Sequence, residues 1–134
     1  MITFPEIDKK RTKKNVRQLL KMYSRLARLA DRERLPKITT SYTFIFTQKT
    51  INELIKNDLG KEARYELEKI VVGLNKLSDF ERRLLYDTYM NDQITTVALY
   101  LSYHMSESKF YRELEKALIH FAESYDQGKL LTKK

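Results

Sequence analysis

The sequence contains no cysteine and no tryptophan, and only three glycines and two prolines among its 134 residues. Without cysteine the chain forms no disulfide, no thiolate zinc site and no cysteine nucleophile, so we expect a reducing compartment. Scarce glycine and proline, with 42% hydrophobic and 33% charged residues, predict a helix-rich globular chain. Its length predicts one domain, or one small domain with an arm.

Long apolar runs are also absent, the longest being the five residues Val97–Leu101. A transmembrane helix needs about 20 apolar residues, and Met1–Asp8 lacks the apolar stretch of a signal peptide. We therefore expect no membrane span, no Sec-type export and a cytoplasmic location.

Catalytic motifs are missing as well. The two histidines, His104 and His120, belong to no HExxH pattern, and the chain has no glycine-rich phosphate loop and no GxSxG. His120 and Glu123 have a spacing compatible with metal binding, but a surface ion pair is the commoner outcome of such spacing. We predict that the protein is not an enzyme and has no catalytic residues, no metal site and no cofactor.

The net charge of +8 is confined to the start of the chain. Residues 1–37 hold 12 basic and 4 acidic side chains, whereas residues 38–134 hold 14 of each. A basic segment attached to a neutral body indicates contact with a polyanion. The alternative is a solvated helix face that only keeps the protein soluble.

The basic segment has the pattern of one long helix, Lys9–Arg34, started by Asp8 or Thr12 and stopped before Pro36. Its apolar residues recur every three or four positions and form one stripe: Val16, Leu19, Leu20, Tyr23, Leu26, Ala27 and Ala30. The opposite face carries a row of cations that could follow a phosphate backbone. A stripe of alanine and tyrosine without tryptophan or phenylalanine disfavours binding to acidic lipid.

One segment, Ile38–Thr47, is rich in β-branched and aromatic residues and is the only strand-like run. A lone strand leaves its backbone groups unpaired. We therefore predict that it pairs with a second copy of the chain or docks as an extended arm.

The remainder is predicted to be helical. Capping-box patterns at Thr50/Glu53 and Ser78/Glu81 start two helices, Gly60 marks a break before a helix over 61–76, and Thr95 or Thr96 caps a short helix ending near Tyr103. Ser106 caps a last helix from Glu107 to about Tyr125. The fold class is thus all-α with one extended segment, divided into a basic arm (1–37), the extended segment (38–49), a helical body (50–127) and a frayed tail (128–134).

A short helix, a turn and a Ser-capped helix form the pattern of a helix-turn-helix, here at about 77–125. The stretch from Leu77-Ser-Asp-Phe-Glu-Arg-Arg to Met105-Ser106, followed by Phe110, Leu114 and Ala117, resembles region 4 of bacterial sigma factors.

Most of the chain resembles the small phage late-gene regulators of the autolysin-regulator (ArpU) type. The likeness lies in Thr12-Lys-Lys-Asn-Val, Pro36-Lys-Ile-Thr, Ser106-Glu-Ser-Lys-Phe-Tyr-Arg and Phe121-Ala-Glu. The resemblance implies a DNA-binding activator of phage late (packaging or lysis) genes, associated with the nucleoid of a Gram-positive host.

Two residues depart from the helix-turn-helix pattern. His104 occupies the turn position that is usually glycine, and the bulky Tyr100 replaces a small residue. Histidine is found at positive φ more often than most residues, so His104 is expected to fit the turn. Tyr100 is expected to widen the spacing between the two helices.

The site residues follow from the helical faces. The last helix should turn outward the side chains expected to contact bases, namely Ser108, Lys109, Tyr111, Arg112 and Lys116. The residues expected to contact phosphates are Lys14, Lys21, Arg25, Arg28 and Arg32, with Thr95 and Thr96 at a helix start. The alternative for each is a solvated position.

The sequence therefore predicts a sequence-specific regulator that binds double-stranded DNA as a homo-oligomer, with host RNA polymerase a further candidate partner. Residues 77–134 carry 8 basic and 9 acidic side chains, so this unit is nearly neutral. That neutrality leaves open an interaction module that binds RNA polymerase or a phage assembly protein without reading DNA.

Overall fold

The computed structural model describes residues 2–30, 37–38, 42–45, 58–91, 98 and 101–134. Its longer helices within these ranges are α1 (Lys9–Lys21), α2 (Tyr23–Leu29), α3 (Asp58–Asn75), α4 (Asp79–Leu85) and α5 (Glu107–Ser124). Tyr86–Met90 continue α4 as a π-helical turn, and two short strands, β1 (Lys37–Ile38) and β2 (Phe44–Ile45), form the described extended structure. The expected all-α fold with one extended segment is confirmed.

Side-chain caps start three of the helices. The Asp8 carboxylate accepts a hydrogen bond from the Arg11 N–H at 3.0 Å, and the Ser78 hydroxyl accepts one from the Glu81 N–H at 3.2 Å. Ser106 does the same for the Lys109 N–H at 3.2 Å. Each cap satisfies one of the N–H groups that a helix start leaves unpaired, at about 1 kcal/mol per cap.

The core lies where α1, α3, α4 and α5 meet. α1 packs along α5, α2 packs on α3, and α4 packs on α5. The largest fully buried side chains come from all four helices: Val16, Leu20, Leu67, Ile70, Leu74, Leu84, Leu85, Phe110, Leu118 and Phe121. Burying each contributes roughly 1.5–3 kcal/mol. α3 and α5 each bury one apolar face, and in the stripe predicted for the basic segment, which lies on α1, α2 and Ala30, only Leu19 is partly exposed.

The basic segment is not one helix. The regular pattern ends at Lys21 and restarts at Tyr23, because Met22 has ψ near −7° and its N–H bonds to the Leu19 carbonyl at 3.0 Å. The expectation of one uninterrupted helix is therefore wrong, although α1 and α2 remain neighbours in contact.

The extended segment is paired within the chain. β1 and β2 are antiparallel, with Lys37 opposite Ile45 and Ile38 opposite Phe44. The prediction that this segment lacks an internal partner is therefore wrong, and Tyr42, which precedes β2, has φ 59°. The Tyr42 ring meets the Tyr86 ring edge-on at 5.8 Å between centroids, which docks the hairpin on the π-helical turn.

The C-terminal segment is bound to α1 rather than frayed. The Thr132 N–H donates to the Thr12 hydroxyl at 3.0 Å, and the Asn15 amide donates to the Leu130 carbonyl at 3.2 Å. Ile7 and Lys133 form an antiparallel bridge, so the two ends of the chain lie side by side. The expected frayed tail is wrong because these polar groups, distant in sequence, satisfy one another.

Two other expectations concern the middle of the chain. Gly60 is buried within α3, which begins at Asp58, so the predicted break at this glycine is wrong. The capping pair Thr50/Glu53 and the residues Thr95, Thr96 and Tyr100 lie outside the described residues.

Candidate nucleic-acid interface

The turn before α5 has the geometry expected of it. Leu101 and Ser102 are helical, and the His104 N–H bonds to the Leu101 carbonyl at 3.1 Å. His104 adopts φ 55°, the left-handed region in which histidine is more frequent than most residues. The turn thus redirects the chain into the Ser106 cap, and the expectation for His104 is confirmed.

Tyr103 attaches this turn to α4 and the π-helical turn. Its hydroxyl donates to the Asp87 carboxylate at 2.9 Å, and its ring contacts Phe80 and Phe110 with centroids 6.0 and 5.9 Å away. The Arg83 guanidinium lies 4.6 Å from the centroid of the same ring. No sequence pattern singles out Tyr103, because its partners are set by the packing of three elements.

The Asp87 carboxylate is buried and faces one cation and one hydroxyl. Arg83 Nε lies 3.6 Å from an Asp87 oxygen, and the carboxylate also accepts the Tyr103 hydrogen bond. Burial raises the pKa of the Tyr103 hydroxyl above its ordinary value, and the Asp87 hydrogen bond and charge raise it further, whereas Arg83 opposes them. Tyr103 therefore stays a neutral donor, which keeps the turn fixed beneath the start of α5.

The outer face of α5 presents the side chains expected to contact bases. Ser108, Lys109, Arg112 and Lys116 are exposed on the side opposite the buried Phe110, Ala117 and Phe121. Lys116 Nζ lies 3.8 Å from Glu113 Oε1, a loose pair at the surface.

Tyr111 is exposed but lies at one flank of that face. Its ring packs edge-on against Phe110 at 5.5 Å between centroids, and Tyr89 and Glu115 lie on the same side, toward α1. Tyr111 therefore borders the row formed by Ser108, Arg112 and Lys116 on the side toward α1.

The cations of α1 and α2 also face solvent. Lys14 and Lys21 on α1, and Arg25 and Arg28 on α2, are all exposed, while Arg32 lies outside the described residues. Among the residues that the structure describes, no carboxylate oxygen comes within 4.0 Å of these four cations. The part of the row that is described is therefore available to a polyanion.

The two candidate surfaces adjoin each other. Lys13 Nζ lies 3.2 Å from Glu115 Oε1, and one turn later on α1 and earlier on α5, Arg17 and Tyr111 both interact with Tyr89, so the two helices run antiparallel. Burial raises the pKa of the Tyr89 hydroxyl, and the Arg17 guanidinium, which donates a hydrogen bond to that hydroxyl, opposes part of the rise. The side of α1 that carries Lys13 and Arg17 is thus held next to α5.

The structure offers no candidate for metal chemistry in the ranges described above. No group of three His, Asp or Glu side chains there could hold a metal ion. His120 Nδ1 pairs with the Glu81 carboxylate of α4, not with Glu123 as its spacing had indicated. Over the same ranges, no helix combines the length and hydropathy needed to cross a membrane.

Comparison with known proteins gives two relatives over most of the chain. The chain is 30% identical over 134 residues to a protein of Enterococcus hirae named autolysin regulatory protein ArpU, with 96% of each chain covered. It is 28% identical over 127 residues to the phage-related protein Lin1259/Lin1739 of Listeria innocua, covering 88% of this chain and 89% of the relative. No family model and no solved structure matches. The near-complete alignment at 30% identity shows that the chain belongs to the ArpU family.

Proposed function

We propose that this protein is a phage-related transcriptional regulator that binds double-stranded DNA sequence-specifically through a helix-turn-helix at about 77–125 and activates late genes. The observation that carries the proposal is the outer face of α5. Ser108, Lys109 and Arg112 project from its first two turns, directly after the capped turn at His104. A helix presented in this way fits the major groove, where its first turns contact base edges.

Direct readout would fall to the start of α5. Arg112 and Lys109 have the donors that match the O6 and N7 acceptors of guanine, and the Ser108 hydroxyl bonds either a base edge or a phosphate. Tyr111 lies at the flank toward α1, where its hydroxyl would hold a phosphate or the edge of a base.

Non-specific affinity would come from the arm. Residues 77–134 are nearly neutral, whereas Lys14, Lys21, Arg25 and Arg28 are exposed on α1 and α2. Each cation that neutralises a phosphate releases a condensed counterion, so the arm supplies the electrostatic term that the helix-turn-helix lacks. Arg32, Thr95 and Thr96 would extend these phosphate contacts.

The relative named as an autolysin regulatory protein supports a regulatory role, and the relative named as phage-related supports a phage origin. A homo-oligomer in the bacterial cytoplasm, associated with the nucleoid, would bind repeated half-sites and gain the affinity that one neutral unit lacks. Host RNA polymerase is the natural further partner of an activator.

The second candidate function is a protein-interaction module that docks on RNA polymerase or a phage assembly protein. The near-neutral charge of residues 77–134 favours it. The exposed cations on α1 and α2 favour DNA binding instead. Measuring DNA binding distinguishes the two candidate functions.

The test is binding to fragmented phage DNA, followed by recovery of the bound sequences and titration at several salt concentrations. Arg112→Ala should weaken binding to the recovered site by about 1–3 kcal/mol and leave random DNA nearly unchanged. Arg25→Gln with Arg28→Gln should instead weaken both alike and lower the salt slope by about 2. Binding to neither DNA at low salt would favour the protein-interaction module.

A further inference from the structure

A groove between α1 and α5 is lined by four cations that come from both helices. Lys9 and Lys13 lie on the α1 side, Arg112 and Lys116 lie on the α5 side, and Glu115 is the carboxylate between them. The groove has a volume of about 360 Å³ and opens to solvent. Lys9 and Lys13 were not among the residues that the sequence pattern assigned to DNA.

We propose that this groove binds a phosphate of the DNA backbone at the edge of the major groove, with Lys9, Lys13 and Lys116 as its ligands. The proposal rests on the proposed function and adds to it. Lys116, which the sequence predicted to contact a base, would contact a phosphate instead. Lys9 and Lys13, in the first turns of α1, would be two further phosphate contacts.

The position of Lys116 along α5 supports this assignment. Lys116 follows Ser108 by eight positions, which is about 12 Å along a helix rising 1.5 Å per residue. The major groove is about 12 Å wide and 8.5 Å deep. When the first turns of α5 contact bases, Lys116 has reached the rim of that groove, where the sugar-phosphate backbone runs.

The arrangement of α1 supplies the second half of the site. Since α1 runs antiparallel to α5, its first turns lie beside the second half of α5, next to Lys116. Lys13 Nζ is 3.2 Å from Glu115 Oε1 in the free protein, and the Glu115 side chain is 57% exposed. A phosphate entering the groove would compete with Glu115 for Lys13, so Glu115 limits affinity in this site.

The experiment compares three variants of the full-length chain on the recovered site and on random DNA. Lys9→Gln with Lys13→Gln should weaken both complexes and lower the salt slope by about 1, since one phosphate loses its ligands. Glu115→Gln should strengthen both complexes about two- to fivefold, the range of an exposed charge pair. Lys61→Gln with Lys129→Gln changes the net charge equally at exposed positions outside the groove and should leave the slope unchanged.

Circular dichroism on each variant checks that it has the helical content of the wild type. If the double variant is misfolded, Lys9→Gln alone replaces it, because Lys9 is exposed and follows the intact Asp8 cap. An unchanged slope with the Lys9 and Lys13 variants, or weaker binding with Glu115→Gln, would overturn the groove proposal while DNA binding by the wild type upholds the proposed function. Absence of DNA binding by the wild type would overturn both.

The source of the phosphate is tested by exchanging chloride for inorganic phosphate at equal ionic strength. A groove that takes backbone phosphates should still show the difference between the wild type and the Lys9/Lys13 variant. If that difference disappears, free phosphate is the preferred ligand and the assignment to DNA is wrong.

Discussion

Removing one hydroxyl, with Tyr103→Phe, should loosen the turn that precedes α5. The substitution keeps the ring contacts with Phe80 and Phe110 and the Arg83 guanidinium above the ring. It deletes only the hydrogen bond to the Asp87 carboxylate at 2.9 Å. The change therefore isolates one polar contact in a position that joins three elements.

The expected cost is about 1–2 kcal/mol in the free energy of unfolding. A hydrogen bond to a charged group is worth about 1.5–3 kcal/mol, and the Asp87 side chain, 9% exposed, has little access to water as a replacement. Arg83 Nε at 3.6 Å still faces the carboxylate, which reduces the penalty. Tyr103→Ala should cost roughly 2 kcal/mol more, because it also removes the half-buried ring.

Urea unfolding followed by far-UV circular dichroism measures these differences. Tyr65→Phe is the matched control, since Tyr65 is 63% exposed and its hydroxyl should contribute under about 0.5 kcal/mol. A double-mutant cycle of Tyr103→Phe with Asp87→Ala should give a coupling energy of about 1 kcal/mol or more. A coupling energy near zero, or a Tyr103→Phe variant as stable as the wild type, would refute the anchoring role of this hydrogen bond.

Two further predictions concern stability. Burial raises the pKa of Tyr23 from 10.0 to about 12, so the folded chain keeps a proton that the unfolded chain releases near pH 10. The stabilisation, on the order of 2–3 kcal/mol, is present below pH 10 and lost as the pH rises through 12. Urea midpoints at about pH 9 and 11.5 should shift less in Tyr23→Phe, and an equal shift in both proteins would contradict this. Deleting residues 130–134 removes the hydrogen bonds to Thr12 and Asn15 and should cost about 2–4 kcal/mol in thermal unfolding; a loss under about 0.5 kcal/mol would mean that the segment is only loosely attached.

The sequence predicted the features that depend on neighbours within one helical turn. Asp8, Ser78 and Ser106 each bond an N–H three residues ahead, so their capping is visible in the local pattern. The outward positions of Lys109 and Arg112 follow from the periodicity that buries Phe110 and Leu114 in the same helix. The positive φ of His104 follows from its place in the turn.

Features that depend on distant partners were missed. The hairpin requires Tyr42 at positive φ, an uncommon choice for an aromatic residue, and no turn dipeptide marks it. The Tyr103 bond to Asp87 spans 16 positions, and the Thr132 bond to Thr12 spans 120. No local sequence pattern relates such distant pairs. The contact of the C-terminal segment with α1, and the groove that contains Lys13 and Glu115, therefore could not be predicted from the sequence alone. Met22 interrupts the basic helix without a proline or glycine to indicate it.

The pairing of residues 6–15 with residues 130–134 affects the order in which contacts form during synthesis. On the ribosome, residues 6–15 emerge more than 100 residues before their partners at 130–134. Until then the Thr12 hydroxyl and the Asn15 amide lack the groups that bind them in the finished fold. Contacts of such long sequence separation also slow folding, because a large loop must close before they form. The basic helix of a nascent chain therefore stays incompletely packed until residues 130–134 have emerged, some time after the α5 side chains that line the groove beside it.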